Sequence, residues 1–298
     1  MSSSMDQIKE LRSRTSAGIM DCKEALAEKD GDIEAAVEYL REKGMSEADD
    51  KAGRVAAEGR VNVLIDDDNQ EGIVVEVNCE TDFVAKNELF GKLVDKISEH
   101  ILQSDTEKLD DLLAEEWYQD KDKEVDTIIR ETIAEIGENI NLRRFKRLKT
   151  EGCLQGYIHL NGKIGVLVDL SGEGAEVDSR IAKDISMHIA ASAPAYISRE
   201  EIDDTAIEKE KKIYREQMLN EGKPEHIIDD IVQGKMEKYY TQVCLMEQPF
   251  VRDEDISVNE LLEEEELTVN DFVRFELGEG IEVEEENFAQ EVKEEMNK

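Results

Sequence analysis

Apolar residues recur at helical spacing near the start of the chain and predict three short helices over residues 5–44. Four of them mark the third helix: Ile33, Ala36, Val37 and Leu40. Asp32 is expected to cap its start and Gly44 to end it. The charged, small-residue stretch SEADDKAGRVAAEGR that follows is typical of a linker. A bundle of about 40 residues is small for a stable domain, so we expect it to rest on its neighbour or on a partner.

The pattern then changes to the two-residue period of β-strands. RVNVLID and GIVVEVNC, separated by the acidic turn DDDNQ, predict two paired strands. A long helix is predicted to begin at TDFVAK. It carries five apolar residues at helical spacing, namely Phe90, Leu93, Val94, Ile97 and Ile101. Helical patterns continue to about Asn139, and INLRRFKRL predicts a returning strand.

A similar order of patterns follows in the second half. LQGYIHL and KIGVLVDL flank Asn161-Gly162, a pair that readily takes positive φ and therefore predicts a β-hairpin. The next segment, DSRIAKDISMHIAAS, predicts a helix. The pairs GIVVEVN…DKISEHI and GVLVDLS…KDISMHI indicate two related strand–turn–strand–helix units. Repetition of a whole unit predicts two similar subdomains packed together.

Two helices interrupt the second unit. REEIDDTAIEKEKKIYREQML and EHIIDDIVQGKMEKYYTQV, joined by NEGKP, predict an antiparallel hairpin at about 198–243. Its second arm carries an apolar seam of Ile228, Val232, Met236, Tyr239 and Val243. The seam favours packing between the arms over a groove for a partner. VNDFVRFELGEG predicts a closing strand and ENFAQEVKEEMNK a terminal helix, so the predicted fold class is α+β.

The charge of the chain narrows the functions that it can perform. Its 74 acidic and 37 basic residues give a formal net charge of −37, which repels phosphates and disfavours direct nucleic-acid binding. Adaptation to high salt would produce the same excess of acids. No segment approaches the roughly 20 apolar residues of a membrane span, and the N-terminus does not resemble a secretion signal. We therefore expect a cytoplasmic protein without a membrane role.

Patterns typical of enzymes are not found in the sequence. It contains no phosphate-binding Gly-x-x-x-x-Gly-Lys-Ser/Thr loop and no Gly-x-Ser-x-Gly elbow. The acidic clusters at 66–69 and 263–266 do not match a calcium loop and favour solvated turns or faces. His100 and His188 lie beside apolar positions on helices, which favours core histidines over ligands. We expect no active site, no metal site and no cofactor.

The cysteines are spaced far apart and never form a Cys-x-x-Cys pair. The four are Cys22, Cys79, Cys153 and Cys244. Without a secretion signal, reduced and buried thiols are favoured over disulfides or metal ligands.

Phe83, in the stretch VNCETDFVAKNELF, has two interpretations from the residues alone. It shares a helical spacing with Phe90, which favours packing in the core. However, Asn87 breaks that stripe, and Thr81 or Asp82 can cap the helix, which would let the first turn overhang the core and expose the ring. An exposed ring would be presented to a partner.

Several motifs taken in order resemble the bacterial elongation factor Ts family. They are LRSRTSAGIMDCKEAL, GDIEAAVEYLREKG, EVNCETDFVAKN, IGENI, IGVLVDL, MHIAASAP, EQPFV and VRFELGEGIE, and they cover almost the whole chain. The resemblance implies a three-helix ubiquitin-associated-like module at 1–55 and core subdomains at 56–150 and 151–283. It also implies a coiled-coil hairpin inserted at about 198–243 and a C-terminal helical module at 284–298.

The resemblance also implies a function in translation elongation, the extension step of protein biosynthesis. Members of the family bind elongation factor Tu and promote release of GDP so that GTP can rebind, without an active site of their own. The matched partner-binding positions are Thr81, Asp82, Phe83 and Val84 in the first subdomain, Met20, Asp21 and Lys23 in the N-terminal module, and His159 in the second subdomain. With the resemblance added, exposure of Phe83 near the partner's magnesium and phosphate site becomes the favoured interpretation.

Two features depart from the family pattern, and one rival function stays open. The acidic stretch at 103–132 has no clear counterpart, and the net charge puts contacts through basic residues in doubt. The rival is a passive adaptor, which would bind a partner without changing its nucleotide. A test with Tu carrying fluorescent GDP separates the two, since an adaptor would bind without accelerating release.

Overall fold

The N-terminal part of the chain is a three-helix bundle. The structure is a computed structural model that describes residues 5–15, 17–172 and 177–282. The helices are α1 (Met5–Thr15), α2 (Ile19–Glu28) and α3 (Ile33–Lys51). Leu11, Cys22 and Leu26 form its small core with neighbouring alanines. The Asp32 carboxylate accepts the N–H of Ala35, which confirms the predicted N-cap of α3.

The prediction that Gly44 ends the third helix is wrong. Helix α3 continues to Lys51, and Gly44 is buried in it. A side chain at this position would place its Cβ 2.8 Å from the Cβ of Ala134, on helix α7 (Val125–Ile136). The glycine therefore permits a close helix–helix contact, and the predicted linker is shortened because its first residues are helical.

The first half of the core is an antiparallel sheet covered by helices. Its strands are β1 (Glu58–Ile65), β2 (Glu71–Cys79) and β5 (Ile140–Lys149), in the order β1-β2-β5. One face packs on helix α5 (Glu88–Gln103) and α7. The sequence predicted all three strands, although β2 is buried along nearly its whole length and does not alternate.

Two helical predictions in this half are wrong. The long helix is divided into α4 (Asp82–Ala85) and α5, because the Asn87 side chain accepts the N–H of Leu89 and starts a new helix. The pattern up to Asn139 also is not continuously helical. It contains α6 (Leu109–Leu113) and a small hairpin of β3 (Glu116–Trp117) and β4 (Asp120–Glu124) before α7. Trp117 anchors this hairpin, since it is buried and stacks on His100.

The second half has the same order of elements as the first. Strands β6 (Cys153–His159), β7 (Ile164–Gly172) and β10 (Leu267–Glu276) form its sheet, in the order β6-β7-β10. Between β7 and β10 lie α8 (Ser179–Ser192), a small hairpin of β8 (Pro249–Phe250) and β9 (Asp253–Ser257), and α11 (Val258–Glu264). The order is again strand, strand, helix, hairpin, helix, strand, so the predicted pair of similar α+β subdomains is confirmed.

Two buried histidines occupy equivalent places in the halves. Nδ1 of His100 accepts the N–H of Tyr118 at 3.3 Å, and Nδ1 of His188 accepts that of Val251 at 3.1 Å. Each Nε2–H then donates to a side chain, Glu115 at 3.2 Å and Gln248 at 2.9 Å. Burial lowers the pKa of both imidazoles. These are core histidines, as predicted, and each fastens a small hairpin to its helix.

This equivalence explains the acidic stretch at 103–132. Its hairpin β3–β4 corresponds to β8–β9 in the second half, so the segment is part of the duplicated unit rather than an insertion. Most of its acidic side chains are exposed, whereas Glu115, Asp126 and Glu131 are half-buried.

The two sheets pack against each other, and two glycines allow the contact. A Cβ at Gly165 would lie 2.5 Å from the Val61 side chain, and one at Gly156 would lie 2.9 Å from Val63. The apolar layer between the sheets includes Val61, Val74, Leu148, Leu154 and Leu167. The close contact keeps the turn between β6 and β7 beside β1.

Helices α9 (Asp204–Asn220) and α10 (Glu225–Val243) form the predicted hairpin inserted in the second half. Its buried seam is Met218, Ile228, Val232 and Met236. The seam packs between the two arms, as predicted, but Tyr239 is only partly buried beside it and Val243 is not part of this cluster. At its base Arg199 pairs with Glu237 and Glu247 and lies over the Tyr240 ring. The predicted C-terminal helix lies outside the described residues.

Candidate functional site

The corner between β2 and α5 begins with a capped turn. Thr81 is the N-cap of α4, and its hydroxyl oxygen accepts the N–H of Val84 at 3.3 Å. Of the two predicted caps, the structure uses Thr81. The preceding Cys79 is fully buried, and burial raises the pKa of its thiol to about 12. This cysteine is therefore a neutral core thiol at the base of the corner.

Helix α4 fixes Phe83 between buried anchors. Val84 and Ala85 are buried in the core of the first half. The Arg60 Nε donates to the carbonyl oxygen of Ala85 at 2.6 Å, which holds the end of the helix. Phe83 itself is 81% exposed. The core-packing interpretation of Phe83 is therefore wrong, and the corner presents a bare aromatic ring on a firmly held turn.

Asp82 lies beside Phe83 at the mouth of a surface groove. Lys86 donates to its carboxylate at 2.6 Å, and this hydrogen bond, with a smaller effect from Lys163, lowers the pKa of Asp82. Asp82 is therefore ionised at neutral pH. Its charge is only partly neutralised, because both side chains of the pair are solvent-accessible.

The turn between β6 and β7 borders the same groove. The residues that line it include Asp82 and Lys86 of the corner, and Ile158 and Leu160 at the end of β6 and in the turn. His159 lies between these two apolar residues, and its Nδ1 is 2.9 Å from the Tyr157 hydroxyl. The turn is fixed to the first half, since Val61 donates its N–H to the Gly162 carbonyl at 2.7 Å. The groove therefore joins residues of the corner with neighbours of His159, whereas the His159 side chain is paired with Tyr157 and is not among the residues that line the groove.

The N-terminal bundle carries the other predicted residues at the start of α2. Met20 is 72% exposed, and Lys23 also lies at the surface. Asp21 is half-buried and accepts a hydrogen bond from Lys43 at 3.2 Å. The neighbouring Ile19 is exposed as well. An apolar pair at the start of a helix is thus presented to solvent.

Three exposed apolar residues were not singled out from the sequence: Ile19, Ile158 and Leu160. The sequence signal that could have found them is their position along the chain. Each is an immediate neighbour of a residue that was chosen, Met20 or His159, and Leu160 stands in a turn, where burial is rare.

The described parts of the chain offer no cluster of side chains for a metal ion. Over residues 5–15, 17–172 and 177–282, no group of three or more His, Cys, Asp or Glu side chains could hold a metal ion. None of the helices in those ranges is long and apolar enough to cross a membrane. What the surface offers is exposed apolar side chains beside partly neutralised charges.

The fold and this surface define a class of protein: a duplicated α+β core with an N-terminal helical bundle, which presents an aromatic corner. A protein-family model described as elongation factor TS matches residues 80–279. An elongation factor Ts of Halothermothrix orenii is 65% identical over 298 residues, which is all of both chains. Elongation factor Ts of Clostridium perfringens is 50% identical over 293 residues (96% of each chain), and that of Clostridium novyi 47% over 298 residues (97% of each). The chain belongs to the elongation factor Ts family, as its motifs predicted.

Proposed function

We propose that this protein binds elongation factor Tu and promotes release of GDP so that GTP can rebind. Membership of the family supports the partner and the reaction. The observation that carries the mechanism is the Phe83 ring, 81% exposed on a short helix whose other apolar residues are buried. An exposed ring on a held turn is suited to insertion into a partner.

The protein acts through differential affinity and needs no active site or cofactor of its own. It binds nucleotide-free Tu more tightly than Tu with GDP, and linkage then requires that GDP leave more readily. A difference of about 5.5 kcal/mol shifts the relative affinity by about 10⁴. Phe83 inserts beside the magnesium and phosphates of the partner, where a small displacement weakens several charge-assisted contacts together.

Phe83 alone does not supply this difference. Full burial of a phenylalanine side chain is worth about 1.5–3 kcal/mol, roughly half of what is needed. The remainder comes from contacts that the partner loses at the metal and from Asp82, Thr81 and Val84 around the ring. Asp82 contributes a charge near a cationic site, while Thr81 and Val84 fix the turn.

Further contacts hold the two proteins together. Met20, Asp21 and Lys23 of the N-terminal bundle bind the nucleotide domain of Tu, and His159 binds a second part of the partner. In this proposal these contacts are the same with nucleotide-free Tu and with Tu carrying GDP, so they supply affinity that is common to both states. Uniform affinity of this kind brings the Phe83 ring to the nucleotide site of Tu without changing the balance between the two nucleotide states.

Two features of the setting belong to the same proposal. Translation elongation takes place in the bacterial cytoplasm, so we place the protein there. Its net charge of −37 opposes contact with RNA, so it acts on Tu without binding nucleic acid directly.

Purified protein added to Tu loaded with fluorescent GDP tests the proposal. In the presence of excess unlabelled GDP, substoichiometric amounts should accelerate loss of fluorescence many-fold, since one molecule serves many Tu molecules in turn. Binding that leaves the release rate unchanged would identify a passive adaptor and reject the exchange function.

A further inference from the structure

Glu138 reaches the Phe83 corner from a distant part of the chain. It lies in the loop between α7 and β5, and both of its carboxylate oxygens contact Thr81. Oε2 accepts the Thr81 N–H at 3.0 Å, and Oε1 accepts the Thr81 hydroxyl at 2.7 Å. Hydrogen bonds to a carboxylate are stronger than those between neutral groups, so this is a firm two-point attachment.

The attachment controls how Thr81 caps α4. The Thr81 hydroxyl has one hydrogen and donates it to Glu138 in a hydrogen bond. A lone pair of the Thr81 oxygen is therefore left to accept the Val84 N–H at 3.3 Å. The series Glu138–Thr81–Val84 therefore fixes the first turn of the helix. The direction of the Phe83 ring follows from that turn.

A second pair of contacts runs the opposite way. The Glu80 carboxylate accepts the Asn139 N–H at 2.6 Å, and the Asn139 side chain donates to the Arg54 carbonyl at 2.8 Å. The adjacent pairs Glu80-Thr81 and Glu138-Asn139 thus hold each other reciprocally. The segment that follows α3 is joined to them through Arg54.

Helix α4 depends on such outside contacts. It has four residues, and a helix of one turn does not hold its own shape in water. Phe83, with its ring in solvent, adds little to its own placement. We propose that Glu138 is a positioning residue for nucleotide exchange, which holds Thr81 so that Phe83 is aimed at the partner before binding. This inference rests on the proposed function.

Glu138→Gln is the direct test, because it keeps the size of the side chain and removes its charge. The amide turns one acceptor into a donor that faces a donor on Thr81. In the fluorescent-GDP assay we expect the release rate at saturating protein to fall about tenfold, while the half-saturating concentration changes less than about twofold. The matched control is Glu135→Gln, at an exposed position near the end of α7, the helix before the loop that carries Glu138. It should behave like the parent protein.

A double-variant cycle separates positioning from a general structural role. If Glu138 acts through Phe83, Glu138→Gln should have no further effect on release in a Phe83→Ala background. If the double variant slows GDP release by the product of the two separate effects, the positioning role is overturned. A normal release rate for Glu138→Gln beside a slow rate for Phe83→Ala would overturn it as well. A normal rate for Phe83→Ala itself would reject the proposed insertion, and with it the positioning role.

Thr81→Val provides a second route if Glu138→Gln does not fold. It removes the hydroxyl that joins Glu138 to Val84 while it preserves shape. Its release rate should fall to a similar extent, again with no further effect in the Phe83→Ala background. A normal rate for this variant would contradict the series of contacts.

Discussion

Two phenylalanines seven positions apart should respond in opposite ways to the same substitution. Phe90 is fully buried in the first half of the core, whereas Phe83 is 81% exposed. Phe90→Ala should lower the free energy of unfolding by about 3–5 kcal/mol, since it leaves a cavity. Phe83→Ala should change it by no more than about 0.5 kcal/mol, because the ring makes little contact with the rest of the chain.

Nucleotide exchange should show the reverse order. Burial of the Phe83 ring against Tu is worth about 1.5–3 kcal/mol, and each 1.4 kcal/mol is a factor of about ten. Phe83→Ala should therefore slow GDP release about 10- to 100-fold. Folded Phe90→Ala protein, assayed well below its melting temperature, should retain most of its exchange activity because its corner is held by other contacts.

Urea unfolding and fluorescent-GDP release, measured on the same preparations, check both halves of this prediction. The reasoning is refuted if Phe83→Ala melts early and exchanges GDP normally once folded. It is also refuted if both variants lose activity in proportion to their stability, since a single structural cause would then explain both.

Three further predictions concern the fold. Replacing residues 208–236 of the hairpin with a short flexible link should leave a cooperative melt and most of the exchange activity, because the seam packs within the hairpin. Loss of the cooperative melt would show that the core needs the hairpin. Gly44→Leu should cost about 1–3 kcal/mol through its contact with Ala134, as measured by urea unfolding, and an unchanged midpoint would contradict that contact. His188→Gln should destabilise the protein less at pH 5.5 than at pH 7.5. The reason is that burial lowers the pKa of His188 in the folded state. Neutral His188 therefore stabilises the parent protein above the unfolded pKa of about 6.5, and this stabilisation is lost as the pH falls below that value. Equal destabilisation at both pH values would contradict the prediction.

Local patterns predicted the strands and the hairpin because their signals are contained in a few neighbouring residues. The Asn161-Gly162 turn and the seam from Ile228 to Met236 are examples. Gly44 could not be interpreted in this way. Its role depends on Ala134, which lies 90 positions away and becomes a neighbour only when α3 packs on α7.

The site shows the same division between local and distant signals. Thr81 and the motif around Phe83 are visible in the sequence, and Asn87, which interrupts the apolar stripe, is the residue at which the structure starts a new helix. Glu138 carries no signal of its own, because its contact with Thr81 spans 57 positions. The pattern of the β3–β4 segment predicted helix, because its acidic residues show no alternating apolar positions and the contacts of Trp117 and Tyr118 with His100 that hold the hairpin are distant in sequence.

Nucleotide exchange requires the protein to distinguish the nucleotide states of Tu, and its affinity for each state measures that discrimination. Titration of Tu without nucleotide and of Tu saturated with GDP, under the same salt, gives the two dissociation constants. We predict that binding to nucleotide-free Tu is tighter by several orders of magnitude, and that Phe83→Ala reduces this ratio while Phe90→Ala does not. Equal affinities for the two states would contradict the account, whatever the strength of binding.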